Sequence, residues 1–206
     1  MKPNFTLSLS FDGIRILHRA AGGWRVVGEV ALDAADMATE LAMIRRTATA
    51  LDPGGLRTKL LLPNAQIKYL TIDAVGLDDA ALKAAARNAL DGATPYPVDD
   101  LAFDICVDGP KCHIAAVARE TLAEAEGFAV EHRFHPISFA SVPEGAPYLG
   151  EPFFGPTQAS VDLLSPDERV EPDGIAVVVI GEVSPGEVAP PLEEARDEAG
   201  AAPAPL

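Results

Sequence analysis

Apolar and polar residues alternate from Phe5 to Phe11, with Phe5, Leu7, Leu9 and Phe11 on one side and Thr6, Ser8 and Ser10 on the other. A period of two marks a half-buried strand. Asp12-Gly13 then reads as a two-residue hairpin tip, because glycine tolerates positive φ, and Ile14 to Arg19 returns as a second strand. Ala21-Gly22-Gly23 turns the chain into a third, Trp24 to Leu32. The period changes at Met37. Met37, Leu41, Ile44, Ala48 and Leu51 recur at spacings of three and four, the buried stripe of a helix. Asp33 or Asp36 is positioned to cap it, and Asp52-Pro53-Gly54-Gly55 stops it.

Lys59-Leu60-Leu61-Leu62-Pro63 is a short apolar run bounded by turn residues, the pattern of a buried parallel strand. Ile67 to Asp73 predicts another strand, with Ile67, Tyr69 and Thr71 on one face. Asp78 or Asp79 caps a second helix, with Leu82, Ala86 and Leu90 inward and Lys83 and Arg87 outward. Leu101 to Val107 and Cys112 to Ala118 flank Asp108-Gly109-Pro110 as a strand pair. A third helix runs from about Arg119 to His132 with Leu122, Ala125 and Phe128 inward, and His135 to Val142 is a last apolar strand. The order is βββ-α-ββ-α-ββ-α-β. Three antiparallel strands followed by alternating helices and strands predict an α/β, ribonuclease-H-like (actin-like) mixed sheet with helices on its faces.

Between the second helix and the strand pair lies DGATPYPVDDLAFD, residues 91–104. Pro95 and Pro97 fix their own φ and restrict the residues before them, so Thr94 to Val98 is expected to be extended. Pro95, Tyr96 and Pro97 are candidates for an interaction surface. Asp99 and Asp100 read as solvated residues beginning a strand.

Composition divides the chain. Residues 144–206 hold ten of the 18 prolines and 13 of the 31 acidic residues, against Arg169 and Arg196 alone, a net charge of −11 out of −15. The expected organisation is a domain over 1–143, a partly ordered extension over 144–183 that packs on it, and a flexible Pro/Ala/Glu-rich linker or tail over 184–206. Phe153 and Phe154 sit in an aromatic patch, Pro147 to Pro156, expected to lie back on the domain or to meet a partner. Gly174 to Gly181 is the extension's one strand-like run and suits a sheet edge. A chain ending in a linker reads as a fragment of something longer. The acidity argues against nucleic acid, whose phosphates it repels. No run of about 18 apolar residues predicts a membrane span, and the first residues lack the apolar core of a signal peptide. The expected compartment is the cytoplasm, for the chain alone or as the cytoplasmic part of a membrane-associated protein.

Candidate chemistry is sparse. Asp12, Asp73 and Asp104 invite comparison with metal-binding carboxylates, but Asp12 belongs to a turn and Asp104 to a strand, so convergence is not expected. Cys106 and Cys112 flank a turn and are positioned to face each other across the hairpin; as thiols they read as small buried residues. With His113 they give C-x5-C-H, which is no recognised zinc spacing. His132 and His135 with Glu131 straddle a helix end, where a histidine is explained by the helix dipole. No nucleophile sits in a G-x-S-x-G elbow. No catalytic residue, metal or cofactor is assigned.

Residues 59–143 resemble a branch of the actin-like families: the cytoplasmic actin-like proteins of type IV pilus assembly and the cytoplasmic domain of the type II secretion L protein. KLLLPNAQIKYLTID (59–73), DDAALKAAARNAL (78–90), TPYPVDDLAFD (94–104), HIAAVARETLAEAEGFAVEHRF (113–134) and PISFASVPE (136–144) carry the resemblance. The helix-to-strand link is similar to the family's "IPFPLDE". The chain also resembles the front end of long bacterial proteins with Pro/Ala/Glu-rich middles that carry a loose translation-initiation-factor label. It has no G-x-x-x-x-G-K-[ST] loop to support that activity.

Members of the actin-like families that bind ATP have a longer, Gly/Ser/Thr-rich first hairpin turn and a second lobe. Here the turn, with Asp12 and Gly13 as its only weak cofactor candidates, is expected to offer too few free amides for an anion nest. Only 62 residues follow Glu144, too few for that lobe. The resemblance therefore implies a non-catalytic docking or scaffold domain with protein partners, serving a cell-envelope assembly. Its alternative is an ATP-binding actin-like protein completed by a partner lobe or a dimer. The oligomeric state is left open.

Overall fold

The computed structural model describes residues 1–184 and 186. The expected linker, apart from Ser184 and Gly186, lies outside the described residues. The hairpin strands are β1 (Phe5–Leu9), β2 (Ile14–Ala20) and β3 (Gly23–Val30). They are followed by α1 (Met37–Leu51), β4 (Thr58–Leu61), β5 (Lys68–Asp73) and α2 (Asp79–Leu90). Next come β6 (Leu101–Asp108), β7 (Lys111–Ala118), α3 (Arg119–Glu131) and β8 (Pro136–Ala140). The extension adds β9 (Phe153–Pro156), the single-turn α4 (Ser160–Leu163) and β10 (Val179–Glu182).

Seven strands form one sheet in the order β10-β3-β2-β1-β4-β8-β9. β1, β2 and β3 are antiparallel, and β4 runs parallel to both β1 and β8. The inner order β3-β2-β1-β4-β8 with this connectivity is the ribonuclease-H-like arrangement read from the sequence. One expectation is refined. β5, β6 and β7 leave this sheet and form their own, in the order β5-β7-β6. The 3-10 turn over Asn64–Gln66 after Pro63 redirects the chain, and β7 pairs with β5 along six residues.

The helix starts follow the local chemistry. The Asp36 carboxylate accepts from Thr39 N at the head of α1, and Asp78 accepts from Ala81 N at the head of α2, each satisfying an amide that lacks a helical partner. α1 and α3 cover one face of the large sheet. Leu41, Ala48, Leu122, Ala125 and Ala129 share a core there with Phe5, Leu7, Ile16, Leu60 and Phe139. Gly28 lets α1 approach closely: a Cβ there would stand 2.5 Å from Ile44 Cγ2. α2 covers the small sheet, closing a second cluster of Ala86, Leu90, Leu101, Ile114 and Ala116.

α3 ends in an arginine where glycine is usual. Arg133 has φ 59°, its amide donates to Val130 O (3.0 Å), and Phe134 N donates to Ala129 O (2.8 Å). That hydrogen-bond pair defines the Schellman stop. His135, also left-handed at φ 49°, donates from Nδ1 to Leu56 O.

The second face of the large sheet carries no long helix. Residues 157–178 cross it as a strap from β9 on one edge to β10 on the other, passing the starts of β8, β4 and β1. Thr157 Oγ1 donates to Pro136 O, Glu168 pairs with Arg57, the amino terminus donates to Arg169 O and Glu171, and Trp24 N donates to Val178 O.

Candidate interaction surface

The first hairpin turn differs from its expected form. The loop spans Ser10 to Gly13, four residues rather than two, because β1 and β2 pair only as far as Leu9 and Ile14. The Ser10 hydroxyl accepts from Asp12 N (3.3 Å) and Gly13 N (3.2 Å) and donates to Gly13 O (2.9 Å). The serine side chain thus engages the loop's Asp12 and Gly13 amides. Gly13 does not use positive φ; a Cβ there would meet Val30 O at 2.8 Å, so close backbone approach explains the glycine. A cleft of about 360 Å³ lies beside the loop, lined by Ser10, Asp12, Arg15, Asn64 and Glu144 among others. Arg15 is paired with Glu29 there.

The three sequence-flagged carboxylates do not meet. Asp73 pairs with Lys111 at the far end of the small sheet. Asp104 Oδ2 accepts from Tyr148 OH (2.8 Å) and Phe153 N (2.9 Å), so it anchors the extension. Burial first, and then the Asp104 charge, push the Tyr148 phenol well above its ordinary pKa. The cysteines are free thiols. Register sets Cys106 opposite His113 and Cys112 opposite Val107. Since neighbouring residues of a strand point to opposite faces, the two sulfurs lie on different sides of the hairpin, which corrects the expectation that they face each other. Burial, then the neighbouring Cys106, raises the Cys112 thiol. His132 packs on Phe128, ring centroids 4.6 Å apart. Among the described residues no group of three or more His, Cys, Asp or Glu side chains converges on a metal position.

Sequence reading missed a charged cluster under the strap. Lys59 is 2% exposed, and its Nζ donates to Glu151 Oε1 (2.6 Å) and Asp173 Oδ2 (2.7 Å), with Glu151 itself 1% exposed. Arg19 Nη2 donates to both Asp173 oxygens, and its guanidinium lies 4.3 Å from the Trp24 ring centroid. Glu151 Oε2 is buried without a partner. Burial pushes the Glu151 carboxyl up, against the pull of Lys59. Burial also works against the Asp173 carboxylate, but hydrogen bonds from Arg19 and Lys59 outweigh it and hold Asp173 below the ordinary range. The missed signal was a lysine at the head of an apolar run. β4 is hydrogen-bonded on both sides and covered on both faces, so every side chain on it is buried. The arrangement binds the strap internally.

The proline link is open by contrast. The extended run expected over Thr94 to Val98 does not form: residues 94–96 bend, only Pro97 has extended backbone (φ −55°, ψ 147°), and Val98–Asp100 forms a 3-10 turn, so Asp99 and Asp100 precede the strand rather than begin it. Asp99 pairs with Arg87, and its carbonyl accepts from Arg119. The Thr94 hydroxyl donates to Tyr96 O and accepts from Tyr96 N, holding the link's shape. Tyr96 is 39% exposed. Together with Gln66 to Lys68 and the end of β7, Pro95 and Tyr96 line a groove of about 440 Å³, floored by Leu101, Ala116 and Val117. Pro97 is outside that lining. Of the aromatic pair, Phe154 is buried in the main core and withdrawn from the surface. Phe153 is half-buried and borders a separate groove with Val161 and Leu164. No helix among the described residues is long and apolar enough to cross a membrane.

No protein-family model and no curated protein sequence matches the chain. Among solved structures, it is similar to the cytoplasmic domain of EpsL, an inner membrane component of the type II secretion system of Vibrio cholerae. The identity is 18% over 66% of this chain and 55% of that one, with a TM-score of 0.49. It is also similar to a PilM-PilN type IV pilus biogenesis complex, at 13% identity over 66% of this chain and 46% of that one, TM-score 0.49. The chain spans about half the length of each. These are the two groups whose pattern residues 59–143 resemble; strand order and connectivity carry the fold assignment by themselves.

Proposed function

We propose that this chain is a non-catalytic docking domain of the actin-like class, recruiting a protein partner for a cell-envelope assembly through the proline-link groove. The observation that carries the reading is the groove: a rigid wall at Pro95-Tyr96, an apolar floor on β6 and β7, and an aromatic ring free to be covered. Aromatic side chains on a preorganised wall are favoured anchors for partner segments. The envelope context comes from the pattern of residues 59–143, and the cytoplasmic side of the membrane is the compartment that accompanies it.

The test is recovery of partners from the native host with Tyr96→Ala as bait. Loss of a specific partner without loss of melting temperature supports docking at the groove; equal recovery sinks it. The second reading, ATP binding by a chain completed by a partner lobe or dimer, is favoured by the cleft beside Asp12. Titration calorimetry with ATP and Mg²⁺ separates the two. Micromolar binding that Asp12→Ala abolishes would make the nucleotide reading the better one.

A further inference from the structure

A different surface from the groove is the outer edge of the seven-stranded sheet. β10 is the last strand in the order, and it is bonded on one side only: Val178 O accepts from Trp24 N (2.9 Å), and Val183 N donates to Val26 O (2.8 Å). By the alternation of ladder groups along a strand, the Val179 amide faces away from β3. The side chains are as open as the backbone. Ile175, Val178, Val179 and Ile180 are 75%, 57%, 49% and 50% exposed.

Residues 174–181 contain no charge and no proline. Edge strands are ordinarily blunted by lysine, proline, a bulge or a cover, because an open apolar edge templates another strand. Here β10 is short and carries one bulge, between Val179 and Gly181, and one charge, Glu182 at its end, while Val179 and Ile180 stay open.

We infer that this edge receives an extended, cationic segment of a protein partner, added as a strand beside β10. Charge decides the occupant. Glu182 stands exposed at the end of β10 and the chain carries a net charge of −15, so a cationic segment is steered in and an acidic one is repelled. A second copy of the chain would bring another −15. The chain's own last twenty residues hold five carboxylates against one arginine, the wrong charge for this edge.

The experiment measures fluorescence anisotropy of a labelled nine-residue peptide of alternating valine and lysine against the full chain. A glutamate-for-lysine peptide and a proline-interrupted peptide serve as controls. The lysine peptide should bind, weaken at least tenfold between about 0.05 and 0.3 M salt, and lose at least tenfold on Val179→Pro, which removes the outward amide. Val179→Lys, which leaves the backbone intact, should give the same loss with an unchanged melting temperature. Absence of binding, equal binding of the glutamate peptide, or equal binding by both variants overturns the inference. So does a dimer in sedimentation that Val179→Lys dissolves, which gives the edge to a second copy. A tenfold gain on deleting residues 187–206 overturns it too, giving the edge to the chain's own tail. Tyr96→Ala should leave the peptide affinity unchanged, so this result stands or falls apart from the groove.

Discussion

Replacing Lys59 with methionine isolates the energetics of the buried cluster. Among the described residues the lysine is the only side chain that donates to Glu151, whose second oxygen is already unpartnered. Asp173 keeps its two bonds from Arg19. Without the ammonium, Glu151 must remain as a buried lone charge or take up a proton. The proton is the cheaper route. From an ordinary glutamate pKa near 4.3 and about 1.36 kcal/mol per unit, protonation costs about 3.7 kcal/mol at pH 7 and about 1 kcal/mol at pH 5. Breaking a buried pair by removing one partner typically costs about 3–5 kcal/mol, in agreement.

The sign follows from linkage. The folded-state pKa of Glu151 lies above its unfolded value, so its penalty is full at high pH and fades as pH falls toward the unfolded value. Trp24, the only tryptophan, lies within 4.9 Å of Lys59 Nζ and reports the transition directly. Urea unfolding of Lys59→Met, followed by Trp24 fluorescence and by far-ultraviolet dichroism, should show a loss of about 3–4 kcal/mol at pH 7 and about 1 kcal/mol at pH 5. Adding Glu151→Leu should recover more than half of the loss at pH 7, since both charges then go together. A loss under about 1 kcal/mol at pH 7, or one that does not shrink by pH 5, would refute the reasoning.

Two further outcomes follow from the geometry. Arg133→Gly should raise stability by about 0.5–1 kcal/mol, because glycine relieves the left-handed strain at the Schellman position at some entropic cost; a fall in urea midpoint would show that the arginine side chain outweighs its backbone. Tyr148, held neutral by burial and by Asp104, should stay un-ionised in a spectrophotometric titration until the chain unfolds, while stability declines as pH rises past the ordinary tyrosine value near 10. Ionisation of all three tyrosines below the unfolding transition would contradict the buried placement of its hydroxyl.

Periodicity made the element order legible, with the inward positions Leu82, Ala86 and Leu90, and narrowed each cap to two aspartates of which Asp36 and Asp78 make the bond. These features are local, and local chemistry decides them. The hairpin tip was misread because Asp-Gly serves two purposes: positive φ in a tight turn, or the absence of a Cβ where another strand crosses, as Val30 O does at Gly13. The division into two sheets was invisible because pairing partners are chosen across long separations. Lys59 was hidden for the same reason. A lysine before three leucines looks like the wet end of a strand, and its dry surroundings are supplied by Glu151 and Asp173, over ninety residues later. The proline link was read only in part: proline sets its own φ and ends α2, but the bend at residues 94–96 and the 3-10 turn from Val98 were not legible, and the groove depends on Ala116 and Val117 arriving from β7.

The strap has a consequence for the order of events during synthesis. Once the ribosome has released residues through β8, the inner five strands can assemble, yet one face of that sheet is bare. Leu17, Trp24, Leu61 and Ile137, buried in the finished chain, then await cover, and Lys59 and Arg19 lack Asp173. About 30 more residues must emerge before Asp173 arrives, a delay of roughly 1.5–6 s at about 5–20 residues per second. For those seconds the nascent chain shows an apolar surface with two cations set in it, and a chaperone that grips such surfaces would hold it until the strap swings across.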